Sequence, residues 1–412
     1  MKTSTRRGIA FAVAAVSITA LAGCSGGGGG AAPSTEGESI ELTAFDYYTD
    51  EPSHSTMGDR LSDCAAEVNA TIDHQSVPYP QYNPKVLQMV STKTMPDLLM
   101  INNPDLPQFA ATGALRDLEK LDVDTDQFLE SVLEVGKYED KLYGLAPNVN
   151  SLVLFYNKTM LAEAGVEVPT TWEELGAAAA ALTQGDRYGF TYSASTGTEG
   201  TWTFIPFLWS NGGSQLELDA PEAVEALTFY TDLALDGYVS KSVVNWSQAD
   251  AKDQFASGKA AMMINGPWQI PALNDTEGLD WGSATIPVPE AGDTPIAPLG
   301  GELWTVPASD ADREARSASV VACLNSEDKQ LETALTNNTV PSNKAAAEEL
   351  VAQQPEMASI VETVTTAYPL TGDSGLQWND VNMALSAAIQ AVISGQADAQ
   401  TALEAAQAEV QG

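Results

Sequence analysis

Histidine is almost missing from this 412-residue chain, in which His54 and His74 are the only two. The chain also lacks a Gly-x-Ser-x-Gly elbow and a glycine-rich phosphate loop, so Ser-His-Asp hydrolases, zinc hydrolases and phosphoryl-transfer enzymes lose the side chains they depend on. Basic residues are scarce as well. Nineteen Lys and Arg stand against 56 Asp and Glu, a formal charge of −37, and so acidic a surface repels phosphate backbones and anionic headgroups. Nucleic-acid binding and electrostatic membrane docking are excluded on that ground, and a neutral solute is expected over a strongly anionic one. A membrane-spanning helix needs about 20 apolar residues, and the run from Ile9 to Leu21 is too short. Composition leaves one catalytic class standing, glycosidases, which need only two carboxylates about 5–10 Å apart, but nothing in the sequence singles out a pair.

The chain is long enough for two globular lobes rather than one core. Its N-terminus has a separate character. Lys2, Arg6 and Arg7 precede the apolar run, which closes on Leu21-Ala22-Gly23-Cys24, and this arrangement resembles a bacterial lipoprotein signal with its lipobox. Residues 1–23 are therefore expected to be a signal peptide and Cys24 the lipidation site, its two acyl chains being enough for stable attachment. Removing residues 1–23, whose three charges are all basic, takes the formal −37 three further down to −40. The Gly/Ser-rich residues 24–39 read as a flexible tether. Cys64 and Cys323 remain, in a compartment that permits a bridge. Cys64 also falls on the apolar stripe Met57, Leu61, Cys64, Ala65 and Val68, so a buried free thiol is the alternative.

From Ser39 onward strand and helix patterns alternate, the mark of α/β architecture. Residues 40–45, 71–77 and 96–101 read as strands; Met57–Val68 and Pro84–Thr92 read as helices, with Pro84 in a first turn. Ligands of open α/β sheets bind beyond the carboxyl ends of strands, so Tyr48, Asp50, Asn102, Asn103 and Asp105 are candidate contacts, each with the alternative role of turn former. Asp122, Asp124 and Asp126 alternate as in a calcium loop, yet Gln127 stands where the loop needs glycine, and the segment reads as a helix-cap region. No metal and no cofactor is expected. Residues 142–147 and 152–158 read as strands with Asn148, Val149 and Asn150 between them. Thr171 and Glu174 form a capping box, and Trp172 reads as packing. Helical spacing covers 221–235, 311–325, 329–336, 381–392 and 398–410.

The most informative stretch is Gly258–Trp268, an apolar run of strand length that stops at Asn265-Gly266-Pro267 and leaves the indole of Trp268 just beyond. Either that ring fills a core or it presents a flat face. Ile264-Asn265-Gly266-Pro267-Trp268 resembles the corresponding segment of the maltose-binding-protein type of extracellular solute-binding proteins, whose tryptophan stacks on sugar. Further resemblance lies in residues 142–158 ending Tyr156-Asn157-Lys158, in Pro206 with Gly212-Gly213, in Leu299-Gly300-Gly301-Glu302-Leu303-Trp304, and in 381–408; Gly200 stands where the maltose binders carry an acid.

The resemblance implies a two-lobed periplasmic-binding-protein fold, each lobe a doubly wound sheet, with residues 40–148 and 299–346 in lobe 1 and 149–298 and 347–412 in lobe 2. It places Asn150, Trp202, Trp268, Gly301, Glu302 and Trp304 at the ligand, with Tyr368 and Trp378 as further candidates. It implies a monomeric carbohydrate receptor that is no enzyme and serves two permease subunits and, through them, a cytoplasmic ATPase. The expected location is the outer face of the cytoplasmic membrane, and the alanine-rich, lysine-poor composition points to a Gram-positive bacterium. The inventory agrees with the ligand class: sugar rings need aromatic planes and polar acceptors, and the chain has eight Trp and twelve Tyr. A receptor for a glycerophosphodiester and a surface glycoside hydrolase are the alternatives.

Overall fold

The computed structural model describes residues 39–49, 53–121 and 123–411. Asp50, Asp122, Cys24, the signal segment and nearly all of the tether lie outside them. Two sheets organise the described chain. The first runs in the order Ala70–Ser76, Ile40–Asp46, Leu98–Asn102, Glu302–Thr305, Gly144–Leu145, with the first three strands parallel and Glu302–Thr305 antiparallel to both of its neighbours. The second runs Trp281–Ala284, Val153–Asn157, Ala260–Asn265, Tyr188–Thr191. This is a two-lobed α/β fold with one sheet at the heart of each lobe.

Residue alternation explains why the central strands read as unbroken apolar runs. Leu98 and Met100 enter a core with Leu42, Leu61 and Trp304, while Leu99 and Ile101 enter one with Phe45, Tyr82 and Phe109. In the second sheet Met262 and Ile264 pack with Leu154 and Phe190, and Met263 packs on the opposite face with Phe155, Phe255 and Ile270. Helices cover both faces of each sheet, so every position of such a strand must be apolar.

Local chemistry sets the helix ends. Thr171 accepts from Glu174 N (3.3 Å) while the Glu174 carboxylate accepts from Thr171 N (3.2 Å), completing the capping box at the start of Trp172–Leu182. Trp172 stacks on Phe229 with ring centroids 4.7 Å apart, a packing role. The helix expected from Pro84 instead begins at Tyr79, so Pro84 lies inside it. The ring removes only the bond to residue 80, a loss confined to the second turn. Residues 202–209 form the body of a helix, Thr198–Ser210, despite Pro206. Lys158 opens a helix rather than ending a strand, because Asn157 caps it by accepting from Met160 N (3.0 Å). The expected lobe boundary at 346/347 falls within the helix Lys344–Gln353.

Cys64 and Cys323 are bridged, with Cα atoms 5.6 Å apart, joining the helices Ser53–Glu67 and Ala311–Leu324. The bridge closes a loop of 259 residues, and cross-links of long loops restrict the unfolded chain most. Cys323→Ser is expected to lower stability by about 2–5 kcal/mol, read as a fall in thermal midpoint under non-reducing conditions. An unchanged midpoint would show that the bridge contributes nothing.

Candidate functional site

The parallel strands of the first sheet end at Asp46, Ser76 and Asn102, and Asn102 is in register with Glu302. Those of the second sheet end at Thr191 and Asn265, and Asn265 is in register with Val153. The segments leading to Val153 and to Glu302 are tied together, since Asn150 N donates to Gly300 O (3.0 Å) and Gly300 N to Asn150 O (2.8 Å). Both carboxyl edges therefore converge on one crossing, where open α/β sheets hold ligands.

Side chains brace this crossing from both lobes. Asn103 Nδ2 donates to Leu299 O (2.8 Å), Asn103 N to Gly301 O (3.2 Å), and Ser151 Oγ to Pro298 O (2.8 Å). Glycine is required at two successive positions. Gly301 has φ +132°, and a Cβ on Gly300 would stand 2.3 Å from Asn150 Oδ1 and 2.9 Å from the Trp202 ring. The bare backbone is what lets the indole edge and the amide lie against it.

The predicted residues divide as follows. Tyr48, Asn150 and Glu302 line one cavity of about 220 Å³ together with Asn148, Arg60 and Trp304. Tyr47 donates to Glu302 Oε1 (2.9 Å). Burial pushes the Glu302 carboxyl above its ordinary range, although hydrogen bonds from Tyr47 and Tyr48 oppose the shift. Burial, and after it the Glu302 charge, pushes the Tyr48 phenol up as well. Trp304 is a core side chain, 1% exposed, that borders this cavity rather than standing in the crossing. Asn102 is half-buried at its strand end, and Asn103 is mainly a brace.

Asp105 lies in a different cavity, of about 160 Å³, formed by residues 104–108 and 375–379 and shared with Trp378. Burial raises its carboxyl above the ordinary range, with a hydrogen bond from Asn83 opposing. Tyr368 is exposed and donates to Asp373 (3.1 Å). Trp202, 8% exposed, belongs mostly to the second-lobe core, its ring edge reaching Gly300. Trp268 is half-buried on the turn Pro267–Gln269, and its ring covers Gly266 so closely that a Cβ there would be 2.0 Å from Cζ3. Sequence reasoning did not name Asn148 or Arg60 as contacts. Asn148 could have been taken from its place between the two strand patterns, whereas Arg60 sits on a helix whose apolar stripe drew the attention.

Four buried polar atoms at these positions have no hydrogen-bond partner: Asn103 Oδ1, Asp105 Oδ2, Asn148 Oδ1 and Trp202 Nε1. Buried polar groups are rarely left so.

A two-lobed α/β fold with a polar crossing between its sheets is the architecture of a solute receptor. The chain belongs to the bacterial extracellular solute-binding proteins, whose family profile it matches over residues 60–359, and the resemblance to the maltose-binding-protein type is borne out. Three Brucella binding proteins are 27% identical over 234 residues, 54% of this chain and 57% of each of them, so the matched region spans little more than half of those relatives. The galactooligosaccharide-binding protein of Bacillus subtilis is 25% identical over 330 residues, 77% of both chains. A maltooligosaccharide ABC transporter solute-binding lipoprotein of Streptococcus pneumoniae is 25% identical over 329 residues, 75% of this chain and 74% of its own. Among solved structures, the cyclic α-maltosyl-1,6-maltose binding protein of Arthrobacter globiformis shares the fold, with TM-score 0.78 at 24% identity over 90% of this chain and 97% of that one.

A carboxyl raised by burial binds its proton more tightly in the folded state, so its contribution favours folding at low pH and is lost as pH rises through the folded value. Glu302→Gln is accordingly expected to raise the thermal midpoint at pH 7 and to remove the fall in midpoint that the native side chain causes as pH rises above the ordinary glutamate range. A lower midpoint at pH 7 would show that the charge stabilises the fold.

Proposed function

We propose that this protein is a carbohydrate receptor of an ABC importer, holding a mono- or oligosaccharide at the crossing between its lobes without chemically altering it. The observation that carries the reading is the set of partnerless buried polar atoms on Asn103, Asn148 and Trp202, residues that each reach the Leu299–Gly301 segment of the crossing, with the indole of Trp268 on the turn that follows the strand end at Asn265. Amide and carboxylate oxygens accept from sugar hydroxyls, an indole N–H donates to them, and aromatic faces suit the C–H face of a pyranose. The names of the Bacillus and Streptococcus relatives support the same ligand class.

Residues 40–148 and 299–346 would form one jaw and 149–298 with 347–412 the other, closing by contacts made only with ligand bound. Lipidation at Cys24 would hold a monomer at the outer face of the cytoplasmic membrane of a Gram-positive cell, within reach of two permease subunits coupled to an ATPase. A second reading, a glycerophosphodiester receptor, is favoured by one observation: Arg60 and Lys329 line the cavity of Tyr48 and Glu302, although Lys329 is engaged with Asp63 at 3.0 Å.

Calorimetric titration with a panel of mono- and oligosaccharides and glycerophosphocholine, with released reducing ends assayed in the same samples, decides among these readings. Saturable sugar binding without released ends is expected; phosphodiester binding alone, or sugar cleavage, would overturn it. With the binding sugar in hand, Trp268→Ala should weaken affinity by ~1–3 kcal/mol, by analogy with aromatic stacking on nucleic-acid bases, with the thermal midpoint of the free protein nearly unchanged. An unaltered dissociation constant would make that indole a packing residue.

A further inference from the structure

The two histidines that the sugar reading leaves unused are both at one spot. Asp46 and Ser76 are paired across the first two strands of the first sheet, and His74 lies two residues before Ser76 on the same face. The helix Ser53–Glu67 brings His54 over them, and the imidazoles stack with centroids 4.6 Å apart. Gly58 of that helix makes the approach possible, since a Cβ there would stand 3.0 Å from His74 Nδ1.

The Ser76 hydroxyl sits among three potential ligand atoms. Its Oγ is 2.5 Å from Asp46 Oδ1, 3.1 Å from His54 Nδ1 and 3.5 Å from His74 Nε2. His74 Nε2 is in turn 2.7 Å from Asp46 Oδ2, and His54 Nδ1 is 2.9 Å from the Tyr48 carbonyl oxygen. Asp46 is fully buried and the His74 side chain 9% exposed. Ligand atoms of Asp46, His54 and His74 all lie within 4.8 Å of one another. Tetrahedral zinc with bonds of about 2.0–2.1 Å sets its ligand atoms about 3.3 Å apart, so a contraction of at most about 1.5 Å would close the set.

We propose that Asp46, His54 and His74 form a binding site for one divalent transition-metal ion of the zinc class, the ion displacing the Ser76 hydroxyl from the centre of the three. Two imidazoles and one carboxylate are a donor set that holds zinc in other proteins, and imidazole suits divalent transition metals generally. Binding requires His54 Nδ1 and His74 Nε2 to present lone pairs, so a proton now directed at the Tyr48 carbonyl and one directed at Asp46 move to the other ring nitrogens or to solvent. Ser76 Oγ or water completes the coordination. The site is separate from the partnerless polar atoms of the crossing but adjoins Tyr48, so an occupied site would fix the backbone from which that phenol projects. Its role is structural or modulatory, and no reaction step is assigned to it.

The test uses the full mature chain after chelator treatment and dialysis. Zinc titration should give one saturable site per chain, raise the thermal midpoint as a ligand of the folded state must, and admit Co²⁺ with the visible absorption bands of a low-symmetry N/O site. His54→Ala and His74→Ala should each weaken zinc binding at least a hundredfold and abolish the cobalt bands, while Ser76→Ala, which keeps all three ligands, should retain both. Because His74→Ala removes a strand side chain that packs under a helix, His54→Gln, at a half-buried helix start, serves as the second variant, with circular dichroism confirming the fold. Weak multi-site binding indifferent to these substitutions, as an acidic surface alone would give, would overturn the proposal, as would the absence of cobalt bands in the wild-type protein.

Discussion

Two backbone hydrogen bonds between Asn150 and Gly300 fix where everything else in the molecule meets. Each is worth only about 1 kcal/mol net, so their importance lies in register rather than in strength. They hold side by side the two segments that pass between the sheets, one entering the second sheet at Val153 and the other entering the first at Glu302. Once these are aligned, the strand ends at Asn102 and Asn265 face the same place. The absence of side chains at Gly300 and Gly301 is part of this constraint. A methyl group at Gly300 would collide with Trp202 from one lobe and with Asn150 in the crossing itself, so the contact between the two halves is written in what these residues lack.

The charge imbalance affects the interior as well as the surface. Several of the few cations act as braces of the first lobe. Arg313 donates from Nε and Nη2 to Asp97, which also accepts from the Thr43 amide and hydroxyl. Burial alone would push the Asp97 carboxyl up, yet these bonds hold it below its ordinary range, and its stabilisation is therefore present at neutral pH and fades as pH falls through the carboxylate range. Arg116 pairs with Glu314 and Lys329 with Asp63. Together with the disulfide, these contacts tie the helix Ala311–Leu324, which arrives late in the chain, and the segment after it to elements formed near the beginning. The second lobe relies instead on a large apolar core containing Trp172, Phe204, Phe207 and Tyr230.

Much of the architecture could be read from the residues because strands covered on both faces leave continuous apolar runs, and residues 98–101 and 260–264 are such runs. Helix ends were readable where a side chain does the capping, as at Thr171. The reading failed where local preference and tertiary packing disagreed. Pro84 suggested a helix start, but the apolar neighbours Tyr82 and Val86 are wholly buried and the helix continues through the proline to keep them so. Trp304, taken as a stacking face, is a core side chain: it shares a strand face with Glu302, but two residues further along Glu302–Thr305 it is packed among Leu42, Leu98 and Met100, whereas Glu302 at the strand start remains only partly covered.

The sequence by itself determined the α/β alternation, the acidic character, the scarcity of catalytic side chains and the glycine pair at the crossing, all of which are properties of residue order. Tertiary structure alone decided that Asp105 shares a cavity with Trp378, that Trp202 touches Gly300, that Cys64 meets Cys323 and that His54 stacks on His74. These partners are brought together only when separate strands and helices dock. Periodicity fixes which way a side chain points from its own element, but not which distant element will be opposite it.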